Sequence, residues 1–569
     1  MRKRWWKESV VYQIYPRSFY DSNGDGIGDL RGIIAKLDYL QALGVDVVWL
    51  SAFYASPNVD NGYDVSDYCD ILPEFGKMAD WQHLRQEMRR RGMRMMIDLV
   101  ANHTSDQHRW FIESRQATDN RWREYYIWRP PRDGREPNNW QSYFGGSAWQ
   151  FDPTTAEYYL HLFSRQQPDL NWENADVRKE IYRVMHWWLD QGVDGFRLDV
   201  INLISKEPGL PDAAVTVDGP YQFGGQHFQY GPRLLEFLAE MKREVLAGRD
   251  LITVGETPGI TTEQARAITD EENGFLNMVF SFEHLGVDRN PRGVGKGKWQ
   301  RKAWKLSELK QIISRWQDDL HERAWNSVYL SNHDLPRPVS RFGDDCRYRD
   351  ESAKMLATLL HTLQGTPYIY QGEEIGMTNV RFPSINDYRD VDTLNFYRQF
   401  ADDQRLDRDE IMAAIYDRSR DNARTPMQWD GSRHAGFATV TPWLAVNPNY
   451  PEINVQRALA EPNSILHYYR QLIRLRKANP VIVYGRYELL LADDEQIYAF
   501  TRTLGETRLL VVLNFCGAES EEMGESGDWR LPEAMRDGQL LIGNYPVDPA
   551  VDPRRCRLRP YEARVYRLG

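Results

Sequence analysis

Cysteine is scarce in this sequence, and no two cysteines lie close together. Only four of the 569 residues are cysteine, at Cys69, Cys346, Cys516 and Cys556, with no CxxC pair and no tight cluster with histidine. A disulfide framework or a cysteine-ligated zinc site needs closely spaced cysteines, so neither is indicated. We expect reduced thiols, as in a cytoplasmic protein.

The sequence also lacks long apolar runs and an excess of positive charge. No run of about 18 apolar residues could span a bilayer. The basic residues 1–4 are followed by Trp5-Trp6-Lys7-Glu8, so no secretory signal is expected. The formal net charge is −11, which argues against a nucleic-acid-binding surface. We therefore expect no membrane partner, no nucleic-acid partner and a cytoplasmic location.

Aromatic residues, by contrast, are abundant. The chain has 19 Trp and 31 Tyr, and many lie near Gly, Asn and Asp in apparent loops. Aromatic faces pack well against sugar rings, although core packing explains most aromatic residues in a large protein. A chain of this length exceeds the usual size of one hydrophobic core, so two or three domains are expected.

Eight short apolar runs alternate with amphipathic stretches over the first two thirds of the chain. This alternation is typical of parallel strands joined by helices, and eight strands are the number that a (β/α)8 TIM barrel needs. The predicted strands are SVVYQIY from Ser9, VDVVWLS from Val45, MRMMIDLV from Met93, GFRLDVI from Gly195, LITVGE from Leu251, MVFSFEH from Met278, SVYLSN from Ser327 and TPYIYQG from Thr366. Helices are predicted at 30–43, 81–91, 176–191, 232–246, 306–321 and 350–364.

Three stretches depart from this barrel pattern. About 90 residues separate the third and fourth strands, far more than an ordinary connection, and they predict a small inserted domain at 104–172. A second long insertion, near 374–455, follows the eighth strand. Short alternating apolar runs without helices predict a C-terminal antiparallel β-sandwich domain at 480–569. The barrel would then comprise residues 1–103 and 173–479.

Three carboxylates follow separate apolar runs: Asp199 in GFRLDV, Glu256 in LITVGE and Asp334 in SVYLSNHD. Desolvating a charge costs several kcal/mol, so three acids in such places need a reason. The C-terminal ends of barrel strands converge on one mouth, where active sites form. Two carboxylates beside a glycosidic bond can cleave it, one as nucleophile or base and the other as proton donor. A helix cap or an ion pair is the alternative for any single acid.

Two histidines and one arginine lie within or just after predicted strands, as these acids do. His103 follows the third strand and could donate to a substrate hydroxyl, or bond to the backbone as a structural residue. His333 precedes Asp334, so the two could hold vicinal hydroxyls of one ring. Arg197 lies two residues before Asp199 and points to the same side of its strand, where it could keep that acid ionised. A plain buried ion pair has the same geometry.

The segment DSNGDGIGD at 21–29 places oxygen ligands at alternate positions around glycines. Ca²⁺ and Mg²⁺ prefer such oxygen ligands. The segment resembles the start of an EF-hand loop, but Gly32 lies at the twelfth position, where a bidentate glutamate is needed. We predict a solitary structural loop for Ca²⁺ (or Mg²⁺) and no organic cofactor. An Asx-rich turn without metal is the alternative.

Together these motifs resemble those of the α-amylase superfamily (family 13) of glycoside hydrolases, and within it the oligo-1,6-glucosidase and dextran glucosidase branch. The resemblance covers nearly the whole chain, through WWKESVVYQIYPRSFYDSNGDGIGDL, QPDLNWEN, GFRLDVIN, VGE, NHD, QGEEIGMTN and RDNARTPMQWD. It implies a retaining mechanism in which Asp199 attacks the anomeric carbon, Glu256 acts as acid and then base, and Asp334 supports the transition state.

The resemblance also implies the substrate-binding groups and the metal ligands. Asp60 and Arg420 would close the pocket around the terminal glucose, which makes the enzyme exo-acting, and Tyr63 would stack beneath that sugar. The inserted domain would contribute Phe144, Phe163 and Gln167, beside His103, Arg197 and His333. The metal loop would use Asp21, Asn23, Asp25, the carbonyl of Ile27, and Asp29.

Two positions resemble the α-1,6-specific branch: Val200, after the implied nucleophile, and Lys298, which would meet the second sugar. In this family Val at the first position accompanies α-1,6 activity, whereas smaller residues or Thr accompany α-1,4 activity. Three departures from the family pattern lie around the acceptor side. Val59 stands where relatives usually carry an acid, and Leu335 stands where they carry glutamine. The segment 286–290 slightly resembles the charged loop of sucrose isomerases.

We therefore expect a cytoplasmic exo-acting α-glucosidase that hydrolyses terminal α-1,6-linked glucose from small isomalto-oligosaccharides, as a monomer or weak homodimer. Trehalose-6-phosphate hydrolysis, sucrose isomerisation and broad-specificity α-glucosidase activity are the alternatives. A non-catalytic amylase-like module is a remote alternative. Such a module is expected to have a membrane anchor and to have lost the three acids, and this sequence shows neither feature.

Overall fold

A computed structural model describes residues 1–290, 298–401, 407–520, 538–548, 551–553 and 557–568. Its centre is the predicted barrel of eight parallel strands, which lie side by side in the order β6-β5-β4-β3-β2-β1-β8-β7. The strands are β1 (Val11–Ile14), β2 (Val47–Leu50), β3 (Arg94–Val100), β4 (Gly195–Asp199), β5 (Ile252–Glu256), β6 (Met278–Phe280), β7 (Ser327–Val328) and β8 (Thr366–Tyr370). Nearly every residue in them is buried, as expected of strands covered on both faces.

The circle of strands closes between β6 and β7 through side chains. Ser327 Oγ donates to the carbonyl of Val279 at 2.7 Å, and the Tyr329 hydroxyl donates to the carbonyl of Ser281 at 2.7 Å. The ladder of β7 is much shorter than the predicted run, because the chain leaves the sheet after Val328. Asp334 therefore lies on the loop beyond β7, where it is free of the strand's alternation.

The six predicted helices are present on the outside of the barrel. The stretch predicted as one helix at 30–43 is two helices, because the backbone at Lys36 (φ −110°, ψ 6°) interrupts it. A seventh barrel helix, Thr262–Thr269, was not predicted, although Thr261 and Gln264 form a capping box at its start. The predicted helices are Leu30–Ala35 with Leu37–Leu43, Met78–Arg90, Ala175–Gln191, Leu234–Met241 with the π-turn Lys242–Leu246, Leu306–Leu320 and Arg349–Thr362.

The remaining helices are short or belong to the second insertion and the junction with the C-terminal sheet. The α-helices are Trp5–Glu8, Arg109–Ser114, Gly225–Phe228, Pro338–Phe342, Val391–Ala401, Arg408–Arg418, Asp421–Arg424, Val455–Ala460, Ile465–Ala478 and Pro480–Tyr484. The 3-10 turns are Pro16–Ser18, Pro73–Phe75, Arg123–Tyr125, Ile201–Leu203, His284–Gly286, Glu373–Ile375, Ile385–Asp387 and Arg433–Gly436.

Residues 104–172, predicted as a small inserted domain, contain a small antiparallel sheet. The strand Glu157–Leu160 lies between Trp128–Arg129 and Trp149–Asp152. A separate apolar cluster, which includes Trp140, Trp149, Leu160 and Phe228, joins this region to Val200 after β4. Packing of the inserted region therefore reaches the residue that follows Asp199. Two shorter strands, Tyr54–Ala55 and Asp67–Ile71, pair after β2.

The described part of residues 480–569 forms one antiparallel sheet of five strands in the order β9-β10-β11-β13-β12. They are β9 (Arg486–Leu490), β10 (Ile497–Leu504), β11 (Thr507–Asn514), β12 (Gln539–Gly543) and β13 (Ala563–Leu568). Buried Arg502 in β10 joins this sheet to the barrel, since its guanidinium donates to the carbonyls of Gly485 and Thr362.

Cys69, Cys346 and Cys516 are free thiols, and Cys556 lies outside the described residues. None of the helices in the described ranges combines the length and the apolar character needed to cross a membrane.

Candidate active site

One buried guanidinium, that of Arg197, joins the acids at the C-terminal ends of three barrel strands. Its Nη1 donates to Asp98 Oδ1 at 2.8 Å and to Asp199 Oδ1 at 2.6 Å, and its Nη2 pairs with Glu256 Oε2 at 2.6 Å. The strand register explains this convergence, because Arg197 in β4 lies directly opposite Asp98 in β3. The alternation along β4 puts Arg197 and Asp199 on one side, as predicted.

Asp98 is a site residue that the sequence reasoning missed. Its Oδ2 accepts hydrogen bonds from Tyr63 at 3.1 Å and from Trp49 Nε1 at 3.2 Å, and its side chain is completely buried. Asp98 therefore positions both Arg197 and the Tyr63 ring. The signal was available, because an acid inside the apolar run MRMMIDLV is the same anomaly that identified Asp199.

The third acid, Asp334, faces this group and is held by two other arginines. Its Oδ1 accepts from Arg424 Nη2 at 2.5 Å and from Arg420 Nη1 at 3.3 Å, while its Oδ2 lies 3.5 Å from His333 Nε2. A third of the Asp334 side chain is exposed. A partly open, ionised carboxylate of this kind can interact with positive charge that develops on a ligand.

Tyr63 and His333 form a stacked pair beside Asp334. Their ring centroids are 5.1 Å apart with an interplanar angle of 8°, and His333 Nδ1 contacts Gln13 Nε2 at 2.7 Å. His333 Nε2 is buried and makes no hydrogen bond within the described residues. The imidazole is therefore able to bind a ligand hydroxyl, as the sequence suggested.

The implied pocket-closing pair, Asp60 and Arg420, is present as an ion pair. Arg420 Nη2 pairs with Asp60 Oδ1 at 2.9 Å, and Gln167 Nε2 donates to Asp60 Oδ2 at 3.1 Å. Gln167 Nε2 also lies 3.3 Å from His103 Nε2, so His103 belongs to the same group. Phe144 lies under Arg420, whose guanidinium carbon is 5.0 Å from the ring centroid.

Phe163 completes this wall from the inserted region. Its ring centroid lies 5.1 Å from that of His103 and 5.7 Å from that of Phe144. The inserted region therefore supplies Phe144, Phe163 and Gln167 together, beside Asp60, His103 and Arg420.

Two charged residues of the second insertion were also missed, namely Asp390 and Arg424. Asp390 Oδ1 lies 2.7 Å from Arg420 Nε and 3.4 Å from Arg424 Nη1. Arg424 lies within the motif RDNARTPMQWD, of which the sequence reasoning used only Arg420. Nothing in the local pattern around Asp390 distinguishes it from a surface acid.

Burial and charge give the three acids different pKa values. Burial raises the pKa of Asp199 to about 6 and that of Glu256 to about 7; in both cases Arg197 opposes the rise and the neighbouring carboxylates add to it. Burial acts on Asp334 as well, but His333, Arg420 and Arg424 outweigh it and hold the pKa of that carboxyl far below its usual range. Burial lowers the pKa of His333 to about 3, so its imidazole is neutral near pH 7.

Val200 has an unusual backbone conformation directly after Asp199. Its φ of 35° lies in the left-handed region, which is rare for a β-branched residue. Its N–H donates to Glu256 Oε2 at 3.1 Å. The strained turn thus binds the second acid through the backbone while the Val200 side chain packs against the inserted region.

Lys298 does not contact Asp199, Glu256 or Asp334. Its ammonium pairs instead with Asp392, at the start of the helix Val391–Ala401. Residues 291–297 of the preceding segment lie outside the described residues.

The 21–29 loop uses its carboxylates and amide to bind its own backbone. Asp21 accepts from the N–H groups of Asn23, Gly24 and Gly26 at 3.0, 2.7 and 2.9 Å. Asp25 accepts from Ile27 N at 2.8 Å, and Asp29 caps the following helix through Gly32 N at 2.7 Å. Within the described ranges no three His, Cys, Asp or Glu side chains form a group that could hold a metal ion, so the metal stays a prediction.

Comparison with known proteins gives matches over the full chain. A family model described as "Alpha amylase, catalytic domain" matches residues 13–485. The oligo-1,6-glucosidase of Parageobacillus thermoglucosidasius is 60% identical over 570 residues, covering 100% of both chains. The solved structure of trehalose-6-phosphate hydrolase from Bacillus licheniformis matches with a TM-score of 0.92 at 46% identity, and that of isomaltulose synthase from Klebsiella sp. LX3 with a TM-score of 0.95 at 43% identity. Both matches cover 100% of both chains.

Proposed function

Since this chain belongs to the α-amylase family of glycoside hydrolases, we propose that it is a retaining, exo-acting oligo-1,6-glucosidase. Its substrates would be isomaltose and short isomalto-oligosaccharides, from which it removes the terminal non-reducing glucose. The observation that carries the proposal is the shared guanidinium of Arg197, which holds Asp199 and Glu256 at 2.6 Å each while Asp334 is held ionised opposite them.

In the first step, a lone pair of ionised Asp199 attacks the anomeric carbon and displaces the glycosidic oxygen. Glu256 gives its proton to that oxygen, so the aglycone leaves as an alcohol and the glucosyl group stays bound to Asp199 as an ester. In the second step, ionised Glu256 takes a proton from water, which attacks the same carbon and frees Asp199. Two displacements at one carbon give net retention.

The pKa values support this division of roles. Near neutral pH, Asp199 with a pKa of about 6 is mostly ionised, whereas Glu256 with a pKa of about 7 is protonated in a large fraction of molecules. Asp334 stays ionised and can stabilise the positive charge that develops on the ring oxygen and the anomeric carbon.

Exo action follows from the Asp60–Arg420 pair. The pair is buried and further fixed by Gln167 and Phe144. We propose that it contacts the outermost hydroxyls of the terminal glucose, because a fixed ion pair offers both a donor and an acceptor there. A chain extended beyond that glucose would collide with the pair.

The α-1,6 preference is proposed from two features. Val200 occupies the position after the nucleophile, and its side chain is fixed by the cluster of the inserted region. Lys298 is the second feature, because its aliphatic stem can meet the sugar on the leaving side while its ammonium pairs with Asp392. The oligo-1,6-glucosidase of Parageobacillus thermoglucosidasius is also more similar to this chain in sequence than the other two proteins named above.

Two of the alternative activities, trehalose-6-phosphate hydrolysis and sucrose isomerisation, meet specific obstacles. A phosphorylated acceptor needs uncompensated positive charge, but the Lys298 ammonium is already paired with Asp392. In the charged 286–290 loop, Asp288 is fully buried between Arg341 at 2.7 Å and Arg418 at 3.0 Å, so its charge maintains the structure and is not presented to a sugar.

A substrate panel tests the proposal directly. The purified protein would be incubated with isomaltose, maltose, sucrose, trehalose and trehalose-6-phosphate, and the products identified by chromatography. We expect the highest kcat/KM on isomaltose and α-glucose as the first product by NMR. Faster turnover of trehalose-6-phosphate, or isomaltulose from sucrose, would replace this assignment with the corresponding alternative.

We also propose that the 21–29 loop binds one structural Ca²⁺ or Mg²⁺ ion. The set of oxygen ligands suits a hard cation, and the carboxylates keep acceptor capacity beyond their backbone hydrogen bonds. Elemental analysis after dialysis against Ca²⁺ should find about one equivalent, which Asp25→Ala should lose. The cytoplasmic location and the monomeric or weakly dimeric state stay predictions from the sequence.

A further inference from the structure

Asp390 lies immediately before the helix Val391–Ala401 and is completely buried. Its Oδ2 accepts from the Thr393 N–H at 3.0 Å and from Thr393 Oγ1 at 2.7 Å. The start of the helix therefore fixes this carboxylate in one orientation. The other oxygen, Oδ1, is directed to Arg420 and Arg424.

Asp390 is the acid that the two arginines share on the side away from the Arg197 group. Two neighbouring guanidiniums repel each other, and each also reaches Asp334. Burial works against the charge of Arg420, and among its acidic neighbours Asp390 does most to raise the pKa of that guanidinium. Burial likewise works against the Asp390 carboxylate, but Arg420 and Arg424 outweigh it and keep its pKa far below the usual range.

Each of the two arginines contacts three groups. Arg420 reaches Asp390 with Nε, Asp60 with Nη2 and Asp334 with Nη1. Arg424 contacts Asp390 with Nη1, Asp334 with Nη2 and the His333 carbonyl with Nε at 3.1 Å. Asp390 is thus bonded to both groups that hold Asp334, and no contact joins Asp390 to Asp199 or Glu256 among the described residues.

We propose that Asp390 is a positioning residue, which holds Arg420 and Arg424 side by side so that Asp334 keeps its place and its effective negative charge toward the transition state. This inference rests on the proposed function, in which Asp334 stabilises the developing positive charge. Without Asp390, both arginines are left to the remaining acids, and Asp334 is neutralised more completely. The variant therefore loses stabilisation of the transition state and not of the bound substrate, because the ground-state sugar carries no developing positive charge.

The test is the variant Asp390→Asn, which keeps the shape but removes the charge and one acceptor. We expect kcat on isomaltose and on p-nitrophenyl α-glucoside to fall about 100-fold, as when a group that stabilises transition-state charge is lost, with KM changed less than about fivefold. The falling limb of the pH profile should also move to lower pH, because a weaker negative charge near Glu256 raises the pKa of that acid less. A role in folding alone would not move this limb.

Two further variants keep the test decisive. Thr393→Val removes one hydrogen bond to Asp390 and should lower kcat in the same direction but by less, which answers the case in which Asp390→Asn does not fold. Asp409→Asn, an exposed acid in the helix Arg408–Arg418 of the same insertion, is the matched control and should leave kcat unchanged.

A folded Asp390→Asn protein with kcat within about threefold of the unchanged protein and an unmoved falling limb would overturn the inference. So would a loss confined to KM, because that result would assign Asp390 to binding. The proposed function fails separately, if the unchanged protein prefers another substrate. The Asp390 variants are then measured on that substrate, since the inference concerns only the support of Asp334.

Discussion

At the scale of single residues, two acids with similar side chains are given different tasks by their neighbours. Asp199 contacts Arg197 Nη1 and shares that nitrogen with Asp98, whereas Glu256 contacts Nη2 and the strained Val200 N–H. Both are buried, and burial is the largest influence on each pKa. Burial raises both pKa values into the range near neutrality, and glutamate stays above aspartate, as in free side chains. The proposed nucleophile and the proposed acid therefore titrate in that order.

Replacement of Asp199 tests the nucleophile assignment. Asp199→Asn should lower kcat on isomaltose by on the order of 10⁴-fold or more, because the amide cannot form the ester, as for other nucleophile replacements. The variant should keep the circular dichroism spectrum and melting temperature of the unchanged protein to within a few degrees. Substantial hydrolysis by the folded variant would rule Asp199 out as nucleophile.

The pH dependence of kcat/KM should be a narrow bell. Activity needs Asp199 ionised, so it rises with pH through about 6; it needs Glu256 protonated, so it falls above about 7. The two limbs belong to the interacting pair and not to one residue each. Initial rates on isomaltose between pH 4 and pH 9 measure this profile. Activity that still rises above pH 8 would contradict the role of Glu256 as acid.

At the scale of elements, the end of β4 and the turn after it carry most of the site. β4 presents Arg197 and Asp199 on one side, and the turn reverses the chain at Val200 with a positive φ. The turn contributes a backbone donor to Glu256, and its side chain contacts the inserted region. One element therefore connects nucleophile, acid and the proposed linkage determinant.

Replacement of Arg197 by lysine tests the shared guanidinium. Arginine uses two terminal nitrogens to contact Asp98, Asp199 and Glu256, whereas lysine has one ammonium nitrogen. Arg197→Lys therefore leaves at least one buried acid unpaired. We expect kcat to fall 100-fold or more, on the order seen when preorganised charge is removed, and the free energy of unfolding to fall by about 3–5 kcal/mol. Kinetics and urea unfolding measure the two effects.

Arg183→Lys on the helix Ala175–Gln191 is the control for this experiment. Arg183 is exposed and pairs only with Glu180 at 2.6 Å in the same helix, so both quantities should remain within error. Full activity in Arg197→Lys would show that the carboxylates do not need a common partner.

Val200→Thr tests the linkage determinant with little change in shape. The hydroxyl adds polarity next to the cleaved bond, and the ratio of kcat/KM on isomaltose to that on maltose should fall by about 10-fold or more, within the range for one altered pocket contact. Leu203→Met in the following 3-10 turn is the control, because its side chain belongs to the same apolar cluster and its polarity is unchanged. An unchanged ratio would assign linkage preference elsewhere.

At the scale of the whole molecule, a buried arginine connects the C-terminal sheet to the barrel. Arg502 in β10 is completely buried and donates to the carbonyls of Gly485 and Thr362. Within the barrel, Arg476 in the helix Ile465–Ala478 donates to the carbonyls of Gly365 and Lys7. The two parts are therefore expected to unfold together.

Arg502→Met should destabilise the whole chain without touching the active site. Two buried carbonyls lose their donors, so we expect the free energy of unfolding to fall by about 2–4 kcal/mol, at one to two kcal/mol for each unsatisfied group. Arg508→Met in the neighbouring β11 should cost less than about 1 kcal/mol, because Thr503 Oγ1 is the one hydrogen-bond partner of its guanidinium among the described residues. Unfolding in guanidinium chloride, followed by fluorescence, measures both free energies. Equal losses of stability in the two variants would contradict the structural role of Arg502. The kcat of each variant should stay unchanged.

The sequence by itself determined the barrel, its strands and the identity of the three acids. Apolar runs of strand length predict buried strands, and an acid that follows such a run can be recognised from the sequence alone. The two-residue period of β4 was enough to place Arg197 beside Asp199. The long connections predicted both insertions. The motifs that resemble a known family identified Asp60, Arg420 and Gln167 as candidate site residues.

Only the tertiary structure decided which charges meet. Asp98, Asp390 and Arg424 contact arginine or aspartate partners between 30 and 99 residues away in the chain, and no local pattern encodes such a pairing. The left-handed turn at Val200 and the short ladder of β7 also depend on packing, because a β-branched residue and an apolar run both favour continued strand. Charge compensation in a buried site is a sum over neighbours in space, so the separation between the raised pKa of Asp199 and the lowered pKa of Asp334 exists only after the chain has folded.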